Sequence, residues 1–261
     1  MKTIAIAMAK GGNSKTYSAH AIASWNAKQN RRTLVLGMDP QSSIEQHLGF
    51  HDTEQSLLLD ALTEQIEPSA AVVDTNQPNL DLIPCGWNLY SAQKLFAEEV
   101  GADGLVANML ESFDDSYDLC VIDTPPSIGL LNYMSFIAAR DGLIVPIEPS
   151  HSAMSALKGL LKVVNLLHDR RAETVHIAAI VPSRVPARTT SGKQAIALLR
   201  ETFGDLVTQS ITSESVSVRD SVSHNQSIFD YKPKSKSAKE FAAMAEEVLE
   251  RIYDREKRHA A

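Results

Sequence analysis

Short runs of apolar and β-branched residues alternate with longer segments of helical periodicity along most of this chain. The apolar runs, which predict buried strands, are residues 3–9, 33–38, 80–85, 117–123, 142–148 and 175–181. The segments with helical spacing are residues 15–29, 89–100, 104–113, 154–167, 191–203 and 235–255. Strands with so little polarity are typical of sheets that are covered on both faces. The pattern predicts an α/β fold with a doubly wound, mostly parallel sheet and helices on both faces.

The composition is that of an ordinary folded protein. The chain has 261 residues, of which 44% are hydrophobic and 22% are charged. Because no repeat or low-complexity linker divides it, we expect residues 1–261 to form a single domain. No apolar run approaches the length of a membrane span, so we expect no membrane partner and a cytoplasmic location. The two cysteines, Cys85 and Cys120, fit neither a disulfide framework nor a metal site.

Charge is unevenly distributed along the sequence. Residues 41–116 contain 14 acidic residues and one basic residue, whereas residues 174–200 contain four basic residues and no acidic one. Residues 232–258 contain eight basic and six acidic residues. The net charge of −7 argues against a nucleic-acid partner, but this asymmetry favours an anionic partner that meets the second half of the chain. A solvated surface without a partner is the alternative.

The segment AKGGNSKT at residues 9–16 follows a predicted strand and opens a predicted helix. That context is typical of a phosphate-binding loop, in which backbone N–H groups and a helix N-terminus face an anion. Lys15 would reach the β and γ phosphates, and the Thr16 hydroxyl would bind Mg²⁺. The ordinary pattern G-x-x-x-x-G-K-[ST] is not met, since Lys10 and Ser14 occupy the two glycine positions. A plain turn therefore remains the alternative. The predicted nucleotide contacts here are Lys10, Gly11, Gly12, Asn13, Ser14, Lys15, Thr16 and Tyr17.

Two aspartates follow predicted strands. Asp39 comes after TLVLGM, and Asp123 comes after DLCVI. Both would lie at the carboxyl ends of parallel strands, where open α/β sheets bind ligands. A lone aspartate in that position is more often a turn or cap residue. Together with the glycine loop, however, the pair favours a ligand-binding site over two turn residues.

These motifs together resemble the ParA/MinD family of P-loop ATPases, and most of all the ParA/Soj partition proteins. AKGGNSKT is similar to the deviant Walker A loop K-G-G-x-x-K-[ST], and MDPQSS (38–43) resembles the segment D-x-D-P-Q. VIDTPPS (121–127) resembles Walker B with switch II. Residues 223–241 are similar to S-H-G-K-P-x-x-x-Y-x-x-x-S-x-x-A. The resemblance covers nearly the whole chain with the motifs in the right order.

The resemblance implies a P-loop fold that binds ATP or ADP with Mg²⁺. It also implies a magnesium site formed by Thr16, Asp39 and Asp123, with Asp123 in contact with the nucleotide as well. Lys10 would reach across the interface of an ATP-dependent sandwich homodimer to the partner's nucleotide. Lys15 and Lys10 would stabilise charge on the γ-phosphate, and Asp39 would orient the attacking water. Hydrolysis would be metal-assisted transfer of the phosphoryl group to water and is expected to be slow.

The implied function is ATP-dependent partition or positioning of a plasmid, a chromosome or another cargo. A ParB-like or other adaptor protein would stimulate hydrolysis, and binding to non-specific DNA would place the protein on the nucleoid. The predicted DNA contacts are Arg184, Arg188, Lys193, Arg219, Lys232 and Lys234, with Arg200 and Lys236 as further candidates. The alternatives are a weakly or non-hydrolysing nucleotide switch and a positioner of a protein organelle. A reductase of the nitrogenase iron-protein type is disfavoured, because neither cysteine is well placed to hold a cluster.

The sequence departs from the family pattern at several positions. Ser14 and Asn13 replace small residues of the loop, and Gly37 replaces the first aspartate of D-x-D. These changes predict altered turnover rather than an altered fold. Ser217 stands where the family often has an arginine. We also expect the terminal helix to pack on the core, and Trp25 and Trp87 to be packing residues.

Overall fold

A computed structural model describes residues 1–8, 14–52, 55–171, 175–186 and 190–254. The strands are β1 (Lys2–Ile6), β2 (Thr33–Gly37), β3 (Val73–Asp74), β4 (Leu80–Ile83), β5 (Leu119–Asp123), β6 (Leu143–Ile147) and β7 (Ile177–Pro182). The helices are α1 (Ser14–Lys28), α2 (Ser43–His47), α3 (Leu57–Leu62), α4 (Leu89–Ala97), α5 (Leu105–Glu111), α6 (Leu130–Ala138), α7 (His151–Arg171), α8 (Thr190–Phe203), α9 (Val216–Ser223), α10 (Ile228–Tyr231) and α11 (Lys236–Tyr253).

The strands of these described ranges form one seven-stranded sheet in the order β3-β4-β2-β5-β1-β6-β7. Every neighbouring pair is parallel except β3 with β4, which is antiparallel. From β1 the chain winds outward through β2 to one edge, returns to β5 and then continues through β6 to the other edge. The doubly wound, mostly parallel sheet predicted from the sequence is confirmed. Such a reversal of winding direction creates a crevice at the carboxyl ends of the central strands.

Both faces of the sheet are covered, which explains the low polarity of its strands. In β1 the side chains of Ile4 and Ile6 belong to the apolar cluster that contains α1 and α11, whereas Ala5 belongs to the cluster with α6 and α7. Successive strand residues point to opposite faces, so each strand needs apolar residues at consecutive positions. Each fully buried isoleucine or leucine side chain contributes about 2 kcal/mol of transfer free energy.

The terminal helix packs against α1, as predicted. Its apolar stripe is buried and consists of Phe241, Met244, Ala245, Val248, Leu249 and Ile252. The Ser235 hydroxyl begins the helix by accepting a hydrogen bond from the Ala238 N–H at 3.1 Å, the usual role of an N-cap serine. None of the helices in the described ranges combines the length and the apolarity needed to cross a bilayer.

Several elements were not predicted from the periodicity. They are β3 and the helices α2, α3, α6, α9 and α10, most of which are too short to show a period. The expectation for Trp25 is confirmed, since its ring centroid lies 5.0 Å from that of Phe229. The expectation for Trp87 is wrong, because 63% of this residue is exposed. It lies in the turn just before α4, which leaves the indole in solvent.

Candidate functional site

The register of the sheet aligns the carboxyl ends of the central strands β1, β2 and β5. Asp123, the last residue of β5, is in register with Ile6 of β1 and with Gly37 of β2. The Met38 N–H donates to the Asp123 carbonyl oxygen at 2.9 Å, which continues the β2–β5 pairing up to Asp39. The aspartates of the two predicted motifs therefore lie together at the carboxyl ends of the central strands, next to Lys15 in the first turn of α1.

Lys15 and Thr16 lie in the first turn of α1 and are both buried. Burial lowers the pKa of the Lys15 ammonium, whereas the nearby Asp123 and Asp39 carboxylates raise it. A buried ammonium is costly unless anions compensate it. The structure thus assembles a lysine, a hydroxyl and two carboxylates from three separate segments of the chain.

Asp123 is fully buried, and neither of its carboxylate oxygens makes a hydrogen bond of ordinary geometry within the described part of the chain. Burial raises its pKa to about 7, while the adjacent Thr16 side chain and Lys15 act in the opposite direction. Buried oxygens without donors are rare in folded proteins unless a ligand or an ion satisfies them. Carboxylate and hydroxyl oxygens are the donors that Mg²⁺ prefers. The residues present therefore fit the ion.

No three histidine, cysteine, aspartate or glutamate side chains gather closely enough to hold a metal by themselves within the ranges described. This arrangement is consistent with Mg²⁺, which usually keeps several waters and takes its other oxygens from one or two protein groups and from substrate phosphates. The protein would supply Thr16 and the two aspartates to a shell that the nucleotide and water complete.

Asp39 has a role in the local turn as well as a place in the site. Its Oδ1 accepts a hydrogen bond from the Gln41 N–H at 3.1 Å, and its carbonyl oxygen accepts one from the Ser42 N–H at 2.8 Å. Burial raises the pKa of Asp39, and the Gln41 N–H and the Lys15 charge lower it. The turn holds the Asp39 carboxylate beside Lys15, just beyond the carboxyl end of β2.

A family model described as an AAA domain matches residues 1–177, about two thirds of the chain. The sporulation initiation inhibitor Soj of Bacillus subtilis is 29% identical and covers 95% of this chain and 98% of its own length. The chromosome-partitioning ATPase Soj of Thermus thermophilus is 28% identical, with 97% and 98% covered. The chain belongs to the ParA/MinD family of ATPases.

Solved structures of McdA from Cyanothece have the same fold as this ParA/MinD ATPase. The apo form is 26% identical, superposes with a TM-score of 0.86 and covers 97% of this chain and 99% of its own. A variant of the same protein in complex with ATP is 25% identical, with a TM-score of 0.85 and coverage of 97% and 96%.

Tyr17, a predicted nucleotide contact, packs α1 against α2. Its ring stacks on the His47 ring with centroids 5.0 Å apart, and His47 in turn lies 5.7 Å from His20. Burial lowers the pKa of His20 to about 4 and that of His47 to about 3, so both imidazoles are neutral at pH 7. Tyr17 also lines a partly open cavity with Ser14, Arg184 and Glu214, so its position remains compatible with a nucleotide contact.

Glu45 is a site residue that the sequence analysis missed. Only 1% of it is exposed, and its Oε1 accepts a hydrogen bond from the Cys85 N–H at 2.8 Å. Burial, together with the Asp39 charge, raises the pKa of Glu45 to about 7, although the hydrogen bond from the Cys85 N–H acts to lower it. The only available signal was an acidic residue next to Ile44 and close to Leu48 in a segment too short to show periodicity.

Two of the predicted DNA contacts are ion-paired with one carboxylate. Glu214 Oε1 lies 3.1 Å from the Arg184 guanidinium and 3.2 Å from that of Arg219. All three side chains are at least one-third exposed, so these pairs contribute little stability. They do offset part of the positive charge that the two arginines would offer to DNA.

Other basic side chains differ in their surroundings. The Lys232 ammonium donates to the Ser217 hydroxyl at 3.4 Å and lies 5.1 Å from the Tyr231 ring centroid. Lys193 and Lys234 are exposed. Arg200 instead donates to the backbone oxygens of Thr208 and Gln209 at 3.3 and 3.1 Å, so it links α8 to the following segment.

Five of the predicted site residues lie outside the described ranges. They are Lys10, Gly11, Gly12 and Asn13 of the loop, and Arg188 among the basic residues. Both cysteines are described and buried. Cys120 lies within β5, and Cys85 follows β4, with its N–H group bonded to Glu45. Neither thiol is exposed for a cluster between subunits.

Proposed function

We propose that this protein binds Mg²⁺-ATP at the carboxyl ends of β1, β2 and β5 and hydrolyses it slowly. One observation carries the proposal. Lys15, Thr16, Asp39 and Asp123 converge at the carboxyl ends of the central strands, beside the N-terminus of α1. A triphosphate concentrates negative charge, and a buried lysine with a helix N-terminus provides the matching positive potential. The ATP complex of a McdA variant supports the same ligand.

Each described residue has a separate part in the proposed reaction. Lys15 binds the β and γ phosphates and offsets charge that develops on the transferred group. Thr16, Asp39 and Asp123 would hold the magnesium ion, which would neutralise phosphate charge when bound. Asp39 orients the attacking water from its position beyond β2 and accepts its proton.

In this proposal two protomers pair face to face, and Lys10 of one protomer contacts the nucleotide of the other. Lys10 lies outside the described residues, so the Walker A resemblance alone supports this step. Size-exclusion chromatography with light scattering, run without nucleotide, with ADP and with ATP, tests it. ATP should double the mass of the wild-type chain, whereas Lys10→Ala should remain a monomer. A wild-type chain that stays monomeric in saturating ATP would contradict the dimer model.

We further propose that the dimer binds DNA without sequence preference and that Lys232 is a principal contact. Ser217 lacks the positive charge of the family's arginine, and the Lys232 ammonium lies within 3.4 Å of its hydroxyl. Arg219 is a weaker substitute, because Glu214 offsets its charge. Lys234, two residues from Lys232, is exposed and extends the same basic segment.

The double variant Lys232→Ala/Lys234→Ala should weaken DNA binding and reduce its salt dependence. Removing two phosphate contacts is expected to lower the slope of log K against log salt by about 2. Fluorescence anisotropy with duplexes of unrelated sequence, in ATP and at several salt concentrations, measures both effects. Lys94→Ala, which removes the one base of the acidic segment, is the matched control and should behave as wild type. An unchanged slope in the double variant would exclude these lysines as contacts.

The relatives also suggest what this protein moves, and we propose a DNA cargo with an adaptor protein that stimulates hydrolysis. Two Soj proteins, one of them named for chromosome partitioning, favour a segregation role. Gly37 supports a slower alternative, a nucleotide switch with weak turnover, because position 37 contributes no carboxylate. Phosphate release measured with and without DNA separates the two. Turnover that DNA and an adaptor accelerate favours the partition ATPase.

A further inference from the structure

Gly37 has no side chain, and the Glu45 side chain of α2 lies where one would be. A Cβ added to Gly37 would lie 2.2 Å from Glu45 Oε1, 3.1 Å from its carboxyl carbon and 3.2 Å from the Cys85 nitrogen. Real Cβ atoms are essentially never found 2.2 Å from another heavy atom, so the Glu45 carboxylate occupies the space that a residue-37 side chain would use. Gly37 is also the register partner of Asp123.

Glu45 is firmly positioned there. Its Oε1 accepts the Cys85 N–H hydrogen bond at the end of β4, and the Tyr17–His47 stack holds α2 against α1. Its second oxygen, Oε2, is buried and makes no hydrogen bond with the residues that the structure describes. The same holds for both oxygens of Asp123. Because Glu45 fills the space at Gly37 and Gly37 pairs with Asp123, two buried carboxylates with unused acceptors lie near each other.

We infer that Glu45 supplies the carboxylate that position 37 lacks and acts as a positioning residue for the magnesium ion that accompanies ATP. Oε1 fixes the side chain to the sheet edge, and Oε2 accepts a hydrogen bond from the hydration shell of the ion. The alternative is a purely structural Glu45 that only joins α2 to β4. The unused Oε2 favours the first explanation, because a structural role needs only the bonded oxygen and buries the other at a cost.

This inference rests on the proposed binding of Mg²⁺-ATP, so its test measures binding rather than turnover. The dissociation constant of a fluorescent ATP analogue is determined in excess Mg²⁺ and in EDTA. The constant in EDTA divided by the constant in Mg²⁺ measures how much the ion strengthens binding. Glu45→Gln keeps the volume and the acceptor for Cys85 but removes the charge. It should reduce the ratio about tenfold, the usual loss when an outer-shell partner of a metal is removed. Binding in EDTA should stay close to wild type.

Moving the carboxylate from position 45 to position 37 provides a sharper test. Gly37→Asp alone should lower the melting temperature, because its Cβ has no space beside Glu45. Glu45→Ala alone should lose the magnesium effect. The double variant Gly37→Asp/Glu45→Ala should regain both stability and the magnesium effect, since one carboxylate again occupies the shared space. Such non-additivity is expected only for residues in direct contact.

Glu111→Gln is the matched control, because Glu111 is exposed on α5, and its ratio should equal that of wild type. An unchanged ratio in Glu45→Gln, or a double variant no better than Glu45→Ala, overturns the inference while the proposed function stands. Equal weakening in Mg²⁺ and in EDTA identifies a structural residue and also overturns it. A wild-type chain that binds no ATP in either condition overturns the proposed function and this inference with it.

Discussion

Replacing Lys15 with alanine is expected to weaken ATP binding by about 100-fold. The side chain is 4% exposed, and it is the described cation that lies beside both Asp39 and Asp123. Its loss removes the attraction for phosphate and leaves the aspartates to repel the nucleotide. Removing one partner of a buried charge pair costs about 3 kcal/mol, which corresponds to about a 100-fold loss of affinity. Titration calorimetry with Mg²⁺-ATP measures it.

Two further variants show whether charge or packing is responsible. Lys15→Met retains the apolar stem that fills the first turn of α1, and it should bind ATP as poorly as Lys15→Ala. Lys28→Ala, at the other end of the same helix, removes a surface ion pair with Asp230 and should bind ATP normally. If Lys15→Met bound ATP with wild-type affinity, the lysine would not contact phosphate and the loop would be a turn.

Asp39→Asn is expected to stop hydrolysis while ATP binding and dimerisation persist. An asparagine can still accept the Gln41 N–H hydrogen bond at Oδ1, so the turn after β2 is retained and only the charge is lost. Without the carboxylate no group takes the proton of the attacking water, a contribution of about 100-fold or more to the rate. Single-turnover phosphate release, combined with chromatography in ATP, should show a dimer that does not dissociate.

Asp74→Asn is the control for this change, because Asp74 is exposed on the edge strand β3 and should hydrolyse ATP normally. Normal turnover in Asp39→Asn would limit Asp39 to the turn, the alternative that its backbone hydrogen bonds also allow. Loss of ATP binding in Asp39→Asn would instead make it a binding residue. Phosphate release and chromatography on the same purified variant distinguish these two outcomes.

The predicted sheet follows from the sequence because apolar runs of strand length separated by helical periods allow few other arrangements. Lys15, Thr16, Asp39 and Asp123 could be identified because each is fixed by its neighbours along the chain, at a strand end or a helix start. The short helix α2 has no such signal, and so Glu45 was missed.

The basic residues show the same limit. Composition identified Arg184, Arg219 and Lys232 as equivalent candidates, and only the fold distinguishes them. Glu214 is thirty residues from Arg184 in sequence and pairs with both arginines, whereas Lys232 lies beside the serine that replaces the family's arginine. Which charges face a partner depends on contacts between separate elements.

The sequence by itself predicted six of the seven described strands, six of the described α-helices and the two aspartates that follow strands, because periodicity and turn chemistry act over a few residues. The phosphate loop stays a prediction, since residues 9–13 lie outside the described ranges. The tertiary structure alone decided that Glu45 fills the space beside Gly37 and that Glu214 offsets two arginines. Both depend on which side chains share a volume after packing, and neither contact leaves a periodicity or a motif along the chain.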